Sequence, residues 1–214
     1  MPVPASSLEL PALRQRWSSA RPFPHVVLDG LLSPAELAAA GEAFSDEPLF
    51  EQADQHFAFL GGAEPPQAPP LRGLADWLAS PETLGLVSAL CGRRLGSVGV
   101  RAYSYARGHY LLPHSDCQRG DPRVVAFAWY LSLQGEAGAE GATRTGVRGG
   151  ALELFDCTVD ERSDPRGVTT ARRAGRIAPL AGRLVLFAVS PVALHQVREV
   201  TRGGRCSLAG WFRP

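Results

Sequence analysis

The chain has 214 residues and a hydrophobic content of 45%, which suits one ordinary globular core. All 22 basic residues are arginine, and the 21 acidic residues leave a net charge of +1, which argues against a protein that neutralises many nucleic-acid phosphates. The sequence contains no lysine, and this excludes a Schiff-base enzyme and a lysine-dependent phosphate loop. Any anion must therefore be held by Arg, His, Tyr or backbone N–H groups.

Cysteine usage and apolar runs indicate the compartment. The four cysteines form no C-x-x-C pair, and the N-terminus lacks a charged stretch followed by an apolar run. No apolar run approaches the roughly 18 residues of a membrane helix. We therefore expect a soluble protein of the reducing cytoplasm, with no membrane span.

Residues 1–92 carry helix signals. Ser33-Pro34-Ala35-Glu36 combines an N-cap serine, a proline at the first helical position and a glutamate at the third, and predicts a helix to Phe44. Ser80-Pro81-Glu82-Thr83 repeats the cap and the proline, and predicts a helix that stops at Gly92. Two further elements are predicted here: a short helix over Leu71–Ala79 and a strand within His25–Leu32 that joins the sheet.

From residue 93 onward, short apolar runs separated by Gly, Pro and Asp predict strands. Seven predicted strands indicate a sandwich or jelly roll. The two long polar connections between them, Gln134–Arg148 and Thr158–Gly175, are predicted to be mobile surface loops. We expect one domain over residues 1–214, with residues 1–92 as a mostly helical support for a core over residues 93–214. The predicted strands are Gly96–Tyr105, Val124–Leu133, Ala151–Phe155, Arg176–Pro179, Arg183–Ala188, Leu194–Val200 and Cys206–Phe212.

One constellation of residues points to metal chemistry. In His114-Ser115-Asp116 the imidazole and the carboxylate point to the same face of an extended segment, although an H-x-D triplet alone arises easily by chance. His195 follows a predicted strand and a turn, and Arg205 lies in the last strand. Two imidazoles and one carboxylate suit non-haem Fe(II), because they leave coordination positions open for a bidentate oxo-acid and dioxygen. A nearby guanidinium could hold a distal carboxylate of that oxo-acid through its two-pronged geometry.

With these residues in this order, the sequence resembles the Fe(II)- and 2-oxoglutarate-dependent dioxygenases of the prolyl 4-hydroxylase type, above all the ribosomal-protein prolyl hydroxylases and their bacterial relatives. The likeness covers most of the chain. It includes Pro22-Phe23-Pro24-His25-Val26-Val27, Tyr105 through Pro113-His114-Ser115-Asp116, Gly149-Gly150-Ala151-Leu152-Glu153-Leu154, Leu184–Val197 and Arg205-Cys206-Ser207-Leu208-Ala209-Gly210-Trp211-Phe212.

The resemblance implies a mainly β fold with flanking helices and a double-stranded β-helix (jelly-roll) core. It also implies an enzyme that converts 2-oxoglutarate and dioxygen to succinate and carbon dioxide while hydroxylating a C–H bond, with Fe(II) bound and ascorbate as reductant. The implied roles are metal ligation by His114, Asp116 and His195, a carboxylate anchor at Arg205 assisted by Tyr130, a second pocket tyrosine at Tyr105, and apolar walls at Leu152 and Trp211.

The substrate stays open at this stage. The leading interpretation is hydroxylation of a prolyl or other residue in a protein or peptide. The alternatives are a hydroxylase of a free or carrier-bound amino acid or other small molecule, a catalytically idle jelly-roll binding module, and a zinc hydrolase, which would leave Arg205 and Tyr130 unexplained. The arginine-rich segment Arg162–Arg176 does not align with the family and is interpreted as a solvated loop or as a lid over an acidic or peptide substrate.

Overall fold

The computed structural model describes residues 2–118, 120–135, 146–159 and 168–214. Within these ranges the chain forms four α-helices, two short 3-10 helices at Ala5–Ser7 and Ala43–Ser45, and eleven strands. The helices are α1 (Leu10–Ser19), α2 (Pro34–Glu42), α3 (Pro69–Ala79) and α4 (Pro81–Cys91). The strands are β1 (His25–Leu28), β2 (Phe50–Ala53), β3 (Phe57–Gly61), β4 (Ser97–Tyr105), β5 (Tyr110–His114), β6 (Val125–Gln134), β7 (Leu152–Val159), β8 (Val168–Ile177), β9 (Leu184–Ala188), β10 (His195–Val197) and β11 (Gly204–Arg213).

The predicted starts of α2 and α4 are confirmed by their caps, whereas α2 ends at Glu42, two residues before the predicted Phe44, and the chain continues as the 3-10 helix Ala43–Ser45. The Ser33 hydroxyl accepts the Glu36 backbone N–H at 3.3 Å, and a Glu36 carboxylate oxygen accepts the Ser33 N–H at 2.8 Å, so that α2 begins with a capping box. Helix α4 begins where the Ser80 hydroxyl accepts the Thr83 N–H, and it ends at Gly92, whose φ of 72° is left-handed. None of the helices in the described ranges is long and apolar enough to cross a membrane.

The strands form one antiparallel sheet in the order β1-β9-β6-β11-β4-β3-β5-β10-β7-β8, with β2 paired to β3. Strands β6, β9 and β11 of one half and strands β5, β7 and β10 of the other contribute side chains to a common cavity of about 550 Å³. The sheet therefore curls over this cavity, and the mainly β jelly-roll fold with flanking helices is confirmed.

Period-two alternation separates the two faces of the sheet. On β6, Phe127 and Trp129 pack into the core shared with the helices, whereas Ala126 and Tyr130 pack on the cavity side. Strand β11 alternates in the same way, with Leu208 and other apolar residues on the helix side. The remaining residues of β11 that reach the cavity are Arg205, Ser207, Ala209, Gly210 and Trp211. The helices thus cover one face of the sheet and leave the other face for the site.

Two sequence predictions about the strands differ from the structure. The segment from residue 168 to 177, predicted to be a loop with a strand only at its end, is the strand β8, which pairs with β7. Its sequence is polar, and its strand character comes from pairing in which Arg172 lies opposite Asp156 and Arg176 opposite Glu153. Strands β2, β3 and β5 were not predicted separately, because short hairpins carry little periodicity. The predicted loops Gln134–Arg148 and Thr158–Gly175, and the arginine-rich segment, lie partly outside the described residues, at 136–145 and 160–167.

Candidate active site

The structure brings His114, Asp116 and His195 together. His114 ends β5 and lies directly opposite His195 of β10, and the centroids of the two rings are 4.3 Å apart. Asp116 follows two residues after β5; its carboxylate oxygens lie 3.7 Å from His114 Nε2 and 3.5 Å from His195 Nε2. The ligand atoms of all three residues lie within 4.8 Å of one another, which is the arrangement that one metal ion needs.

Backbone carbonyls set the orientation of both imidazoles. His114 Nδ1 lies 2.8 Å from the Leu112 carbonyl oxygen, and His195 Nδ1 lies 3.1 Å from the Ala193 carbonyl oxygen. Since a carbonyl oxygen only accepts, each Nδ1 carries the proton, and each Nε2 keeps the lone pair that a metal requires. In both residues this Nε2 is the nitrogen that faces Asp116.

Burial also favours the neutral form of His195. Its side chain is 5% exposed, and the edge of the Phe187 ring lies against it with centroids 4.6 Å apart. Burial lowers the pKa of His195 to about 4, against the opposing effect of Asp116. The imidazole is therefore in the form that ligates metals.

Arg205 is a buried cation that faces the same cavity. Its side chain is 3% exposed, and among the described residues its Nε has no hydrogen-bond partner. The guanidinium lies over the rings of Tyr105 at 4.3 Å and Tyr130 at 4.9 Å, and Nη1 reaches the Ser207 hydroxyl at 3.4 Å. Rings and a hydroxyl do not neutralise a buried charge, so this arrangement is complete only with an anion in the cavity.

Tyr130, Tyr105 and Gly150 shape the space around this cation. The Tyr130 hydroxyl is buried and has no hydrogen-bond partner among the described residues, and burial raises the pKa of Tyr130. Tyr105 lies directly opposite Arg205 in the β4–β11 pairing, which accounts for the contact between the ring and the guanidinium. A Cβ atom at Gly150, whose φ is +65°, would lie 3.2 Å from Arg205 Cδ, so glycine makes room for the arginine here.

The two predicted apolar walls lie in different parts of the cavity. Leu152 is buried in the cluster that contains Tyr130, on the side of Arg205. Trp211 lies six residues from Arg205 along β11, roughly 20 Å at about 3.3 Å per residue. Its ring lies under the guanidinium of Arg123 at 3.7 Å. Trp211 therefore lines the cavity away from the Arg205 end.

Sequence reasoning missed Ser207 and Arg123. The two-residue period of a strand could have identified Ser207, because it follows Arg205 by two residues and lies on the same face of β11. Arg123 gives no local signal: its Nη1 lies 3.9 Å from an Asp116 carboxylate oxygen, and its Nε donates to Asp121 at 2.6 Å. It is a fixed cation beside the carboxylate of the cluster, and it also lines the cavity.

The remaining histidines lie outside the cluster of His114, Asp116 and His195. His109 Nδ1 accepts the Ala106 N–H in a turn, and His25 Nδ1 lies 2.9 Å from the Phe23 carbonyl oxygen. His56 lies 3.6 Å from an Asp54 carboxylate oxygen at the edge of the cavity.

Comparison with known sequences identifies the class of protein. The family described as "2OG-Fe(II) oxygenase superfamily" matches residues 99–213, which is more than half of the chain. The chain belongs to this superfamily. The family implies Fe(II) and 2-oxoglutarate, and two features fit them: the three-residue cluster, and the buried Arg205 and Tyr130 that lack an anionic partner among the described residues.

The particular relatives it matches are named prolyl hydroxylases. The prolyl 3-hydroxylase OGFOD1 of Xenopus laevis is 31% identical over 118 residues, 54% of this chain and 20% of that protein. The Mus musculus prolyl 3-hydroxylase OGFOD1 is 35% identical over 104 residues, 48% of this chain and 16% of that protein. The chain thus matches about a fifth of the length of these curated relatives.

Solved structures show the same fold. A prolyl-4-hydroxylase of Pseudomonas putida superimposes with a TM-score of 0.66 at 21% identity, over 95% of this chain and 98% of that one. A prolyl hydroxylase of Trichoplax adhaerens, in complex with a hypoxia inducible factor oxygen degradation domain peptide fragment, superimposes with a TM-score of 0.63 at 14% identity. That match covers 97% of this chain and 89% of the other.

Proposed function

We propose that the protein hydroxylates a prolyl residue in a protein or peptide substrate. Three findings support this: membership of the 2-oxoglutarate oxygenase superfamily, relatives that are named prolyl hydroxylases, and a wide cavity beside the His114, Asp116 and His195 cluster. The single observation that carries the cosubstrate assignment is the buried Arg205 cation without an anionic partner among the described residues.

In this proposal His114, Asp116 and His195 hold Fe(II). Their Nε2 atoms and carboxylate already face one another, and the backbone carbonyls hold the ring tautomers, so metal binding needs little rearrangement. When bound, the iron supplies dioxygen activation coupled to the oxidative decarboxylation of 2-oxoglutarate. The protein itself orients both substrates and excludes water from the reacting atoms.

Arg205 holds the distal carboxylate of 2-oxoglutarate, and Tyr130 donates its hydroxyl to the same group. Ser207 lies beside this carboxylate, and Tyr105 and Leu152 form the walls. A bidentate guanidinium and a phenol match the two oxygens of a carboxylate, and burial makes each of these contacts stronger than it would be in water. The dicarboxylate then spans from this anchor toward the metal cluster.

The other end of the cavity takes the substrate residue. His114 is the most exposed member of the cluster, at 31% of its side chain, so the cluster lies near the protein surface rather than in a sealed pocket. Aromatic side chains line the cavity, including Phe57, Tyr103 and Trp211. Aromatic faces are suited to a rigid, apolar prolyl ring, and an open mouth lets the chain on either side of that residue pass.

Two finer points belong to the proposal. Ascorbate would serve as the reductant that keeps the bound iron as Fe(II). The working compartment is a reducing cytoplasm, which is supported by four cysteines that are all free thiols.

A succinate-release assay tests the proposal. The full chain is incubated with Fe(II), ascorbate and 2-oxoglutarate and with either proline-containing peptides or free amino acids, and hydroxylated product is identified by mass spectrometry. We expect succinate with peptides, and its loss in Asp116→Ala and His195→Ala but not in His109→Ala, a histidine control outside the cluster. Product from free amino acids alone would favour the small-molecule alternative. If the wild type released no succinate and showed no charge-transfer band with anaerobic Fe(II) and 2-oxoglutarate, the idle-module interpretation would replace the proposal.

A further inference from the structure

A buried carboxylate lies behind the metal cluster, on the opposite face of the sheet. Glu153 of β7 has a 3%-exposed side chain, and its neighbours Leu152 and Leu154 pack on the cavity side. Since successive residues of a strand point to opposite faces, Glu153 points away from the cavity. This carboxylate is not part of the site described above.

Three side chains hold this carboxylate. Gln196 Nε2 donates to one oxygen at 2.6 Å, and Arg173 Nη1 donates to the other at 3.1 Å. Arg198 Nη1 lies 3.7 Å from that second oxygen. These partners come from β10, β8 and the residue that follows β10, so one buried group ties neighbouring strands together. The two arginines are about half exposed and cover the charge from the solvent side.

The strand that depends on this contact carries His195. Strand β10 has only three residues, and its register against β5 shifts between His195 and Val197. Against β7 the pairing is complete, and Gln196 lies directly opposite Glu153. Directly opposed residues of an antiparallel pair share a face, and the hydrogen bond between them fixes one strand against the other. The position of β10 is therefore set mainly from the β7 side.

Burying charged groups between two strands has a desolvation cost, and apolar side chains of similar volume are often at least as stabilising. Hydrogen-bonded charged groups contribute a single defined geometry of the two strands. We propose that Glu153 and Gln196 form a positioning pair that holds β10 in register, so that His195 Nε2 stays at ligand distance from the metal. This inference rests on the proposed role of His195 as a ligand.

The Glu153–Gln196 pair can be tested without turnover by titrating the full chain with Co(II) and measuring binding through the visible absorption of the bound ion. Gln196→Met keeps the side-chain length and removes the amide. We expect it to raise the Kd for Co(II) by about tenfold, the lower end of the effect of removing a group bonded directly to a ligand, because Gln196 acts on His195 through the strand. The exchange Glu153→Gln with Gln196→Glu restores a hydrogen bond between the same two positions, with donor and acceptor exchanged, beside the same arginines. We expect it to return the Kd to within about threefold of wild type. With Co(II) saturating, the Kd for 2-oxoglutarate stays at the wild-type value in both variants.

Glu47→Gln is the matched control. Glu47 is another buried carboxylate, 5% exposed, and it is held by backbone N–H groups away from the cavity, so this variant loses stability but not metal affinity. Wild-type Co(II) affinity in Gln196→Met, or no recovery in the exchange variant, would overturn the pairing while leaving the proposed function intact. If His195→Ala bound Co(II) with wild-type affinity, His195 would not be a metal ligand, and the positioning role of Glu153 and Gln196 would be wrong as well.

Discussion

Replacing Arg205 by methionine should weaken cosubstrate binding strongly and leave the free energy of unfolding almost unchanged. The guanidinium is 3% exposed and has no carboxylate partner among the described residues, so in the free protein it is a buried charge stabilised only by two rings and a hydroxyl. In the complex it is the proposed partner of the distal carboxylate. Methionine fills much of the same volume without charge.

The magnitudes follow from these contacts. Losing one partner of a buried charge pair costs about 2–5 kcal/mol of binding free energy. About 3 kcal/mol corresponds to a Kd for 2-oxoglutarate that is raised roughly 100-fold or more. In the free protein, relief of the desolvation penalty offsets the loss of two cation–π contacts worth about 1 kcal/mol each. The free energy of unfolding should therefore change by less than about 1 kcal/mol.

Anaerobic calorimetry with Mn(II), using 2-oxoglutarate and 2-oxobutyrate, separates the distal carboxylate from the rest of the ligand. Wild type should prefer 2-oxoglutarate strongly, and Arg205→Met should lose that preference while binding 2-oxobutyrate equally well. Arg183→Met is the control: Arg183 pairs with Asp29 at 2.8 Å outside the cavity, so the variant loses stability and keeps its affinity. An unchanged preference for the dicarboxylate in Arg205→Met would refute the anchor.

Four further predictions concern single residues. Tyr130→Phe removes a hydroxyl that has no partner among the described residues, so it should raise the Kd for 2-oxoglutarate about tenfold in the same calorimetry without lowering the melting temperature. Glu47→Ala leaves the Gln67 and Ala68 N–H groups without their acceptor and should lower the free energy of unfolding in urea by about 3 kcal/mol, with unchanged cosubstrate affinity. Ser33→Ala removes one half of the α2 capping box and should cost about 1 kcal/mol in the same titration. Gly210→Ala places a Cβ 1.8 Å from the Gly99 carbonyl oxygen and should abolish soluble expression; a well-folded variant would contradict the β4–β11 register.

The site has a second cation besides Arg205. Arg123 is held by Asp121, lies over the Trp211 ring and comes within 3.9 Å of Asp116. Its position between the metal cluster and the aromatic part of the cavity puts it in reach of both the Asp116 carboxylate and a bound substrate. Arg123 is therefore one of the first residues to vary once a substrate is known.

The sequence by itself determined the elements whose chemistry is local. The caps at Ser33 and Ser80 act within one turn of helix, so they predicted where α2 and α4 begin. The spacing of His114 and Asp116 predicted a shared face, which needed only the period of a strand. The absence of lysine restricted an anion anchor to Arg, His, Tyr or backbone N–H groups, and the family resemblance selected Arg205, which the structure shows buried in the cavity.

The tertiary structure alone decided which distant residues meet. Four features depend on the register between strands. They are the strand character of β8, the contact of Tyr105 with Arg205, the approach of Arg123 to Asp116, and the pairing of Glu153 with Gln196. Register is set by the packing of the whole core and by the geometry of turns, not by the residues that are brought together. A polar strand such as β8 has no periodic pattern of its own, because its partner supplies both the hydrogen bonds and the opposite charges.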